Sequence, residues 1–92
     1  MDRTAAETLA LKALVWLAGD DERLGAFLGA SGLSPADVRA RAGDADFLVA
    51  VLDFVTSDDA SVAAFCDAEG LPYEAPLAAR RAIPGGEEVH WT

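Results

Sequence analysis

The sequence predicts an all-α protein, a compact orthogonal bundle of five to six short helices, and three observations carry that prediction. Apolar residues recur at helical spacing with no competing run of alternation. Helix start and stop signals punctuate the chain at short intervals. A stretch of fourteen residues, Asp20 to Leu33, returns 38 positions later as Asp58 to Leu71 with seven identities, among them Phe27/Phe65, Gly32/Gly70 and Leu33/Leu71.

Thr4 and Glu7 stand at capping-box spacing, so the first helix is expected to begin at Thr4, run to about Ala18 and stop at Gly19. Its Leu9, Ala13, Trp16 and Leu17 form one stripe, opposite Thr4, Thr8 and Lys12, which places Trp16 in the core. Asp20 or Asp21 caps a second helix, about Glu22 to Ala30, and Gly32 supplies its left-handed end. Ser34-Pro35-Ala36-Asp37 is the strongest local signal: an N-cap, a first-turn proline and an acid three residues on, with Leu33 stapled to Val38. That third helix should end near Gly43.

Asp44 caps a fourth helix whose Phe47, Leu48, Val49, Val51, Leu52, Phe54 and Val55 leave a narrow polar stripe of Asp46, Ala50 and Asp53. A surface this apolar belongs at the centre of the bundle. Ser57 or Asp58 caps a fifth helix, Asp59 to Glu69, which turns Val62, Phe65 and Cys66 inward and ends at Gly70. Pro76 opens a short sixth helix, Leu77 to Ala82, with Arg80 and Arg81 at its negative end. Residues 1–86 read as a single domain and residues 87–92 as a tail.

The 38-residue offset also aligns Leu14 with Leu52, Trp16 with Phe54 and Leu17 with Val55. A duplicated helical hairpin is the expected origin. Two copies are too few for a solenoid, so they should close on each other, with the segments Leu9 to Leu17 and Phe47 to Val55 in the middle.

Charge narrows the function. Seven basic against sixteen acidic residues give a net charge of −9, which repels phosphate backbones and anionic lipid, so neither direct nucleic-acid binding nor a membrane is expected. One cysteine excludes an intramolecular disulfide and a multi-cysteine zinc site. Lys12 breaks the N-terminal apolar run before it reaches the length of an export signal. A cytoplasmic protein is expected.

Chemistry has few candidates. Asp20, Asp21, Asp58 and Asp59 could gather around a divalent cation at the repeat junction, as in a small ligand- or metal-binding protein or enzyme. Each pair, however, occupies a position where a helix start favours an acid. Cys66 falls on an inward stripe and His90 lies beyond Gly85-Gly86, so no nucleophile and base are brought together. The reading is a non-enzymatic, acidic helical interaction module without cofactor or metal. Its candidate contact residues are Trp91, His90, Asp21 and Asp59, and its partner is a basic protein surface or a second copy of the chain.

Three segments in order, Leu17-Ala18-Gly19-Asp20, Phe65-Cys66-Asp67-Ala68 and His90-Trp91-Thr92, carry a resemblance. The chain resembles a family of short alphaproteobacterial proteins classified as a domain of unknown function. The resemblance implies an all-helical fold and a cytoplasmic setting, and no activity, cofactor or catalytic residue.

Overall fold

The first helix begins two residues earlier than the capping-box spacing suggests. In the computed structural model, which describes residues 1–84, Asp2 is the N-cap and its Oδ1 accepts the Ala5 N–H at 2.7 Å. A carboxylate there caps as well as the Thr4 hydroxyl would and adds its charge to the positive end of the helix. Glu7, freed from a capping role, pairs instead with Arg3 one turn before it, at 2.9 Å. Six helices follow one another among the described residues, with no strand: α1 (Arg3–Ala18), α2 (Asp21–Ser31), α3 (Pro35–Arg41), α4 (Ala45–Thr56), α5 (Asp59–Glu69) and α6 (Ala75–Ala82).

Most boundaries follow from local chemistry. Asp20 accepts from the amides of Glu22 at 2.8 Å and Arg23 at 3.1 Å, which fixes it rather than Asp21 as the cap of α2. At α3 both arms of the capping box close, Asp37 N–H to Ser34 Oγ at 3.2 Å and Ser34 N–H to Asp37 Oδ2 at 3.0 Å. The bonds from Ser34, backbone first and hydroxyl second, hold the Asp37 carboxyl below its ordinary pKa, with the charge of Arg41 adding to them. Asp58 rather than Ser57 caps α5, accepting from both the amide and the hydroxyl of Ser61. Asp44 occupies the cap position of α4 but makes no side-chain cap bond. That helix is held instead by burial of Phe47, Leu48, Val49, Val51, Leu52 and Val55.

Helices α1 and α4 form the middle of the molecule, as the apolar stripes suggest, and α6 packs on both. The importance of α6 is not visible in its sequence. Ala6, Ala10 and Ala13 on α1 and Ala79 on α6 have no exposed surface, and side chains this small let helices approach closely. Arg80 Nε donates to Asp53 and ties α6 to the outer side of α4.

The two hairpins, α1–α2 and α4–α5, grip each other through aromatic pairs. Trp16 of the first packs on Phe65 of the second, ring centres 5.6 Å apart and planes tilted at 57°. Phe54 of the second packs edge-on against Phe27 of the first at 5.4 Å and 71°. In both pairs the partners exchange positions under the 38-residue offset. Trp16 is half-buried rather than fully in the core, because its outer face carries the Arg23 guanidinium, 4.2 Å from the ring centroid.

Glycines with opposite duties give a paired prediction. Gly70 ends α5 with φ +69°, so Gly70→Ala is expected to cost about 1–2 kcal/mol for placing a Cβ in the left-handed region. Gly25 lies within α2 with open space where a Cβ would point, so Gly25→Ala should add roughly 0.8–1 kcal/mol of stability. Urea unfolding of the two variants reads both signs.

Candidate functional site

The four aspartates at the repeat junction do not form one centre. Asp20 and Asp58 spend their oxygens on helix amides. Asp21 and Asp59 are exposed in the first turns of α2 and α5, where an acid meets the positive helix end. Among the described residues no group of three His, Cys, Asp or Glu side chains is placed to hold a metal ion. Trp91 and His90, and the domain boundary at 86/87, lie outside the described residues.

Cys66 is fully buried, and its Sγ donates to the Pro72 carbonyl at 3.4 Å. Burial pushes the thiol pKa upward, and the neighbouring charges of Asp67 and Glu74 push it further. A thiol with a raised pKa holds its proton at neutral pH. Cys66 should therefore react with an aromatic disulfide reagent only as the chain unfolds, with denaturant raising the rate to that of a free thiol. Rapid labelling of the native protein would contradict that placement.

The concave surface is elsewhere. An open groove of about 370 Å³ runs between α2 and α4. Its floor is the Phe27–Phe54 pair, its α4 wall is Ala50, Asp53 and Ser57, and its α2 wall is Ala30 and Ser31. Two turns of sequence place these residues together: Ala50, Asp53 and Ser57 recur at i, i+3 and i+7 on the polar stripe of α4, and Phe27, Ala30 and Ser31 at i, i+3 and i+4 on α2. Alanines leave the furrow open where larger side chains would fill it.

Phe54 also lines a smaller notch of about 230 Å³ at the hairpin junction, together with Trp16, Arg23, Ala26, Asp58 and Ala64. The groove and the notch thus meet over one ring. A third hollow of about 270 Å³ lies between α1 and α5, walled by Leu11, Lys12, Val15 and Glu69. Its Lys12, Val15 and Glu69 stand 38 positions from Ala50, Asp53 and Ser31 of the main groove. Leu11 and Val15 are exposed there, Val15 to 70%.

Helix ends and one carboxylate set the charge at the main groove. The C-terminal turns of α2 and α4 both line it through Ser31 and Ser57, and neither helix carries a basic residue in its last turn. Their carbonyl ends present partial negative charge to the opening. Asp53 stands on its wall in a pair with Arg80, and Asp46 extends the same stripe of α4. Arg23, at the junction, is stacked on Trp16.

Sequence reasoning identified Phe27, Phe54 and the stripe of α4 but read them as core and solvated face, and it did not see the groove they build. Alanine gives no signal that separates a wall from an interior contact. The exposed Leu11 and Val15 could have been noticed, because they lie beside the polar stripe of α1 rather than opposite it.

No match is found among curated proteins, nor among solved structures. Residues 3–86 match the family described as "Protein of unknown function (DUF3572)". That match spans nearly all of the chain, α1 to α6 included, and the protein belongs to the DUF3572 family.

Proposed function

We propose that the protein is a non-enzymatic, cytoplasmic interaction module that docks a basic surface of another protein, built from a helical hairpin duplicated within the chain. One observation carries the reading: the α2/α4 hollow is an open, mainly apolar groove with two helix C-terminal turns at its rim, and its single carboxylate, Asp53, is paired with Arg80 rather than with either wall serine. Catalytic sites and small-ligand sites converge polar groups in an enclosed cleft, whereas this surface offers aromatic edges and diffuse negative charge, the properties of a docking face. The net charge of −9 would steer a basic partner to it. Among the described residues no helix is long and apolar enough to cross a membrane. Trp91 and His90 of the tail, and exposed Asp21 and Asp59, enter the proposal on their chemistry alone.

The immobilised full chain, challenged with an extract of its source cells, should retain a protein at about 0.05 M salt and release it by about 0.5 M. Its melting temperature should not move with Mg²⁺, Ca²⁺ or Mn²⁺. An ion held by the junction acids at 100 times its Kd would add about 2.7 kcal/mol, and such a shift would contradict the reading. Retention unchanged in Trp91→Ala would remove the tail from the surface.

A further inference from the structure

Resting on the reading of the protein as an interaction module, we infer that the α2/α4 groove takes an amphipathic helix of another protein, one that carries Lys or Arg beside its apolar face. The groove lies between two helices whose facing residues recur at i, i+3, i+4 and i+7, and a third helix seats in such a furrow by ridge-into-groove packing. Ala30 and Ala50 leave room for large apolar side chains to descend onto the half-buried Phe54 ring, which the buried Phe27 supports from beneath.

Charge selects the flanks of that helix. Two helix carbonyl ends open into the groove without a basic residue in either last turn. Asp53 is the carboxylate on its α4 wall, and Asp58, the cap of α5, lines the adjoining notch. The two guanidiniums nearby are already engaged, Arg80 with Asp53 and Arg23 over Trp16. An incoming Lys or Arg therefore meets the negative ends of two helices within the field of a chain of net charge −9, while an incoming Glu or Asp is repelled. A second copy of this chain, with its own charge of −9, is the poorer occupant.

The test titrates the ¹⁵N-labelled full chain with three synthetic peptides of equal length: a Leu/Lys amphipathic helix, its Leu/Glu counterpart, and a scrambled Leu/Lys peptide without an apolar face. The first should shift the amides around Ala30, Ala50 and Ser57, and bind at least about tenfold more tightly than either control. Ala50→Leu, which fills the groove from its half-buried wall, should weaken that binding by about tenfold or more. Should that variant misfold, Ala30→Leu fills the same groove from an exposed position on α2.

Equal binding of the scrambled or the Leu/Glu peptide, shifts centred on the acids at Asp20 to Glu22, or unchanged affinity in the filled variants would overturn the inference. So would self-association that the filled variants abolish, which would give the groove to a second copy. Retention of a cellular partner by Ala50→Leu would displace the partner from this groove and leave the module standing, whereas failure of the parent chain to retain any partner would remove the module itself.

Discussion

Phe27→Ala is expected to remove about 3–5 kcal/mol of folding stability, the cost of excising a buried phenyl ring. Phe27 is 1% exposed and is the only ring in contact with two others, Phe47 at 6.0 Å and Phe54 at 5.4 Å, among the described residues. It joins the first hairpin to the central helix of the second, so the cavity opens where the two halves meet. A domain of this size has about 5–15 kcal/mol in total, so the variant should melt far below the parent. Phe27→Leu keeps most of the volume and should lose about half as much or less. Equal losses in thermal melts of the two would contradict a core organised around this ring.

The second large effect is expected at Ile83. It lies past the end of α6 in extended backbone, φ −97° and ψ 116°, yet it has no exposed surface. Ile83→Ala should cost roughly 2–5 kcal/mol, whereas Leu77→Ala on the exposed side of α6 should cost under about 0.5 kcal/mol. Urea midpoints of the pair distinguish a closing plug from a frayed end. A near-neutral Ile83→Ala would place the end of the described chain outside the core.

Ile83 also shows what could be read from the sequence and what could not. Caps were legible because they are local: the Ser34 and Asp37 bonds span three residues and need nothing else from the fold. The position of α4 was legible because its apolar surface is too wide for a solvated helix. The start of α1 is not legible locally, because Thr4 and Glu7 imitate a capping box while Asp2 offers an equal acceptor two residues earlier. Ile83 falls at helical spacing from Pro76 and Ala79 but stands past the last residue of α6, beside Pro84, so only the fold reveals that it is buried. Ala50 and Ala79 are one residue type with opposite duties, a groove wall and a helix contact, and nothing local separates them. The all-helical class is therefore written in short-range signals, while the groove is a product of how helices cross.

The case against a metal or catalytic centre at the repeat junction turns on Asp20 and Asp58 being acceptors for helix amides. Asparagine caps a helix about as well as aspartate but carries no charge, whereas alanine does neither. The most direct measurement is the unfolding free energy of two double variants, Asp20→Asn with Asp58→Asn and Asp20→Ala with Asp58→Ala. The asparagine pair should stay within about 1 kcal/mol of the parent, and the alanine pair should lose roughly 2 kcal/mol, about one per cap. Carboxylates held together for chemistry strain the fold, and neutralising them relieves it. An asparagine pair more stable than the parent by over about 1 kcal/mol would contradict the account.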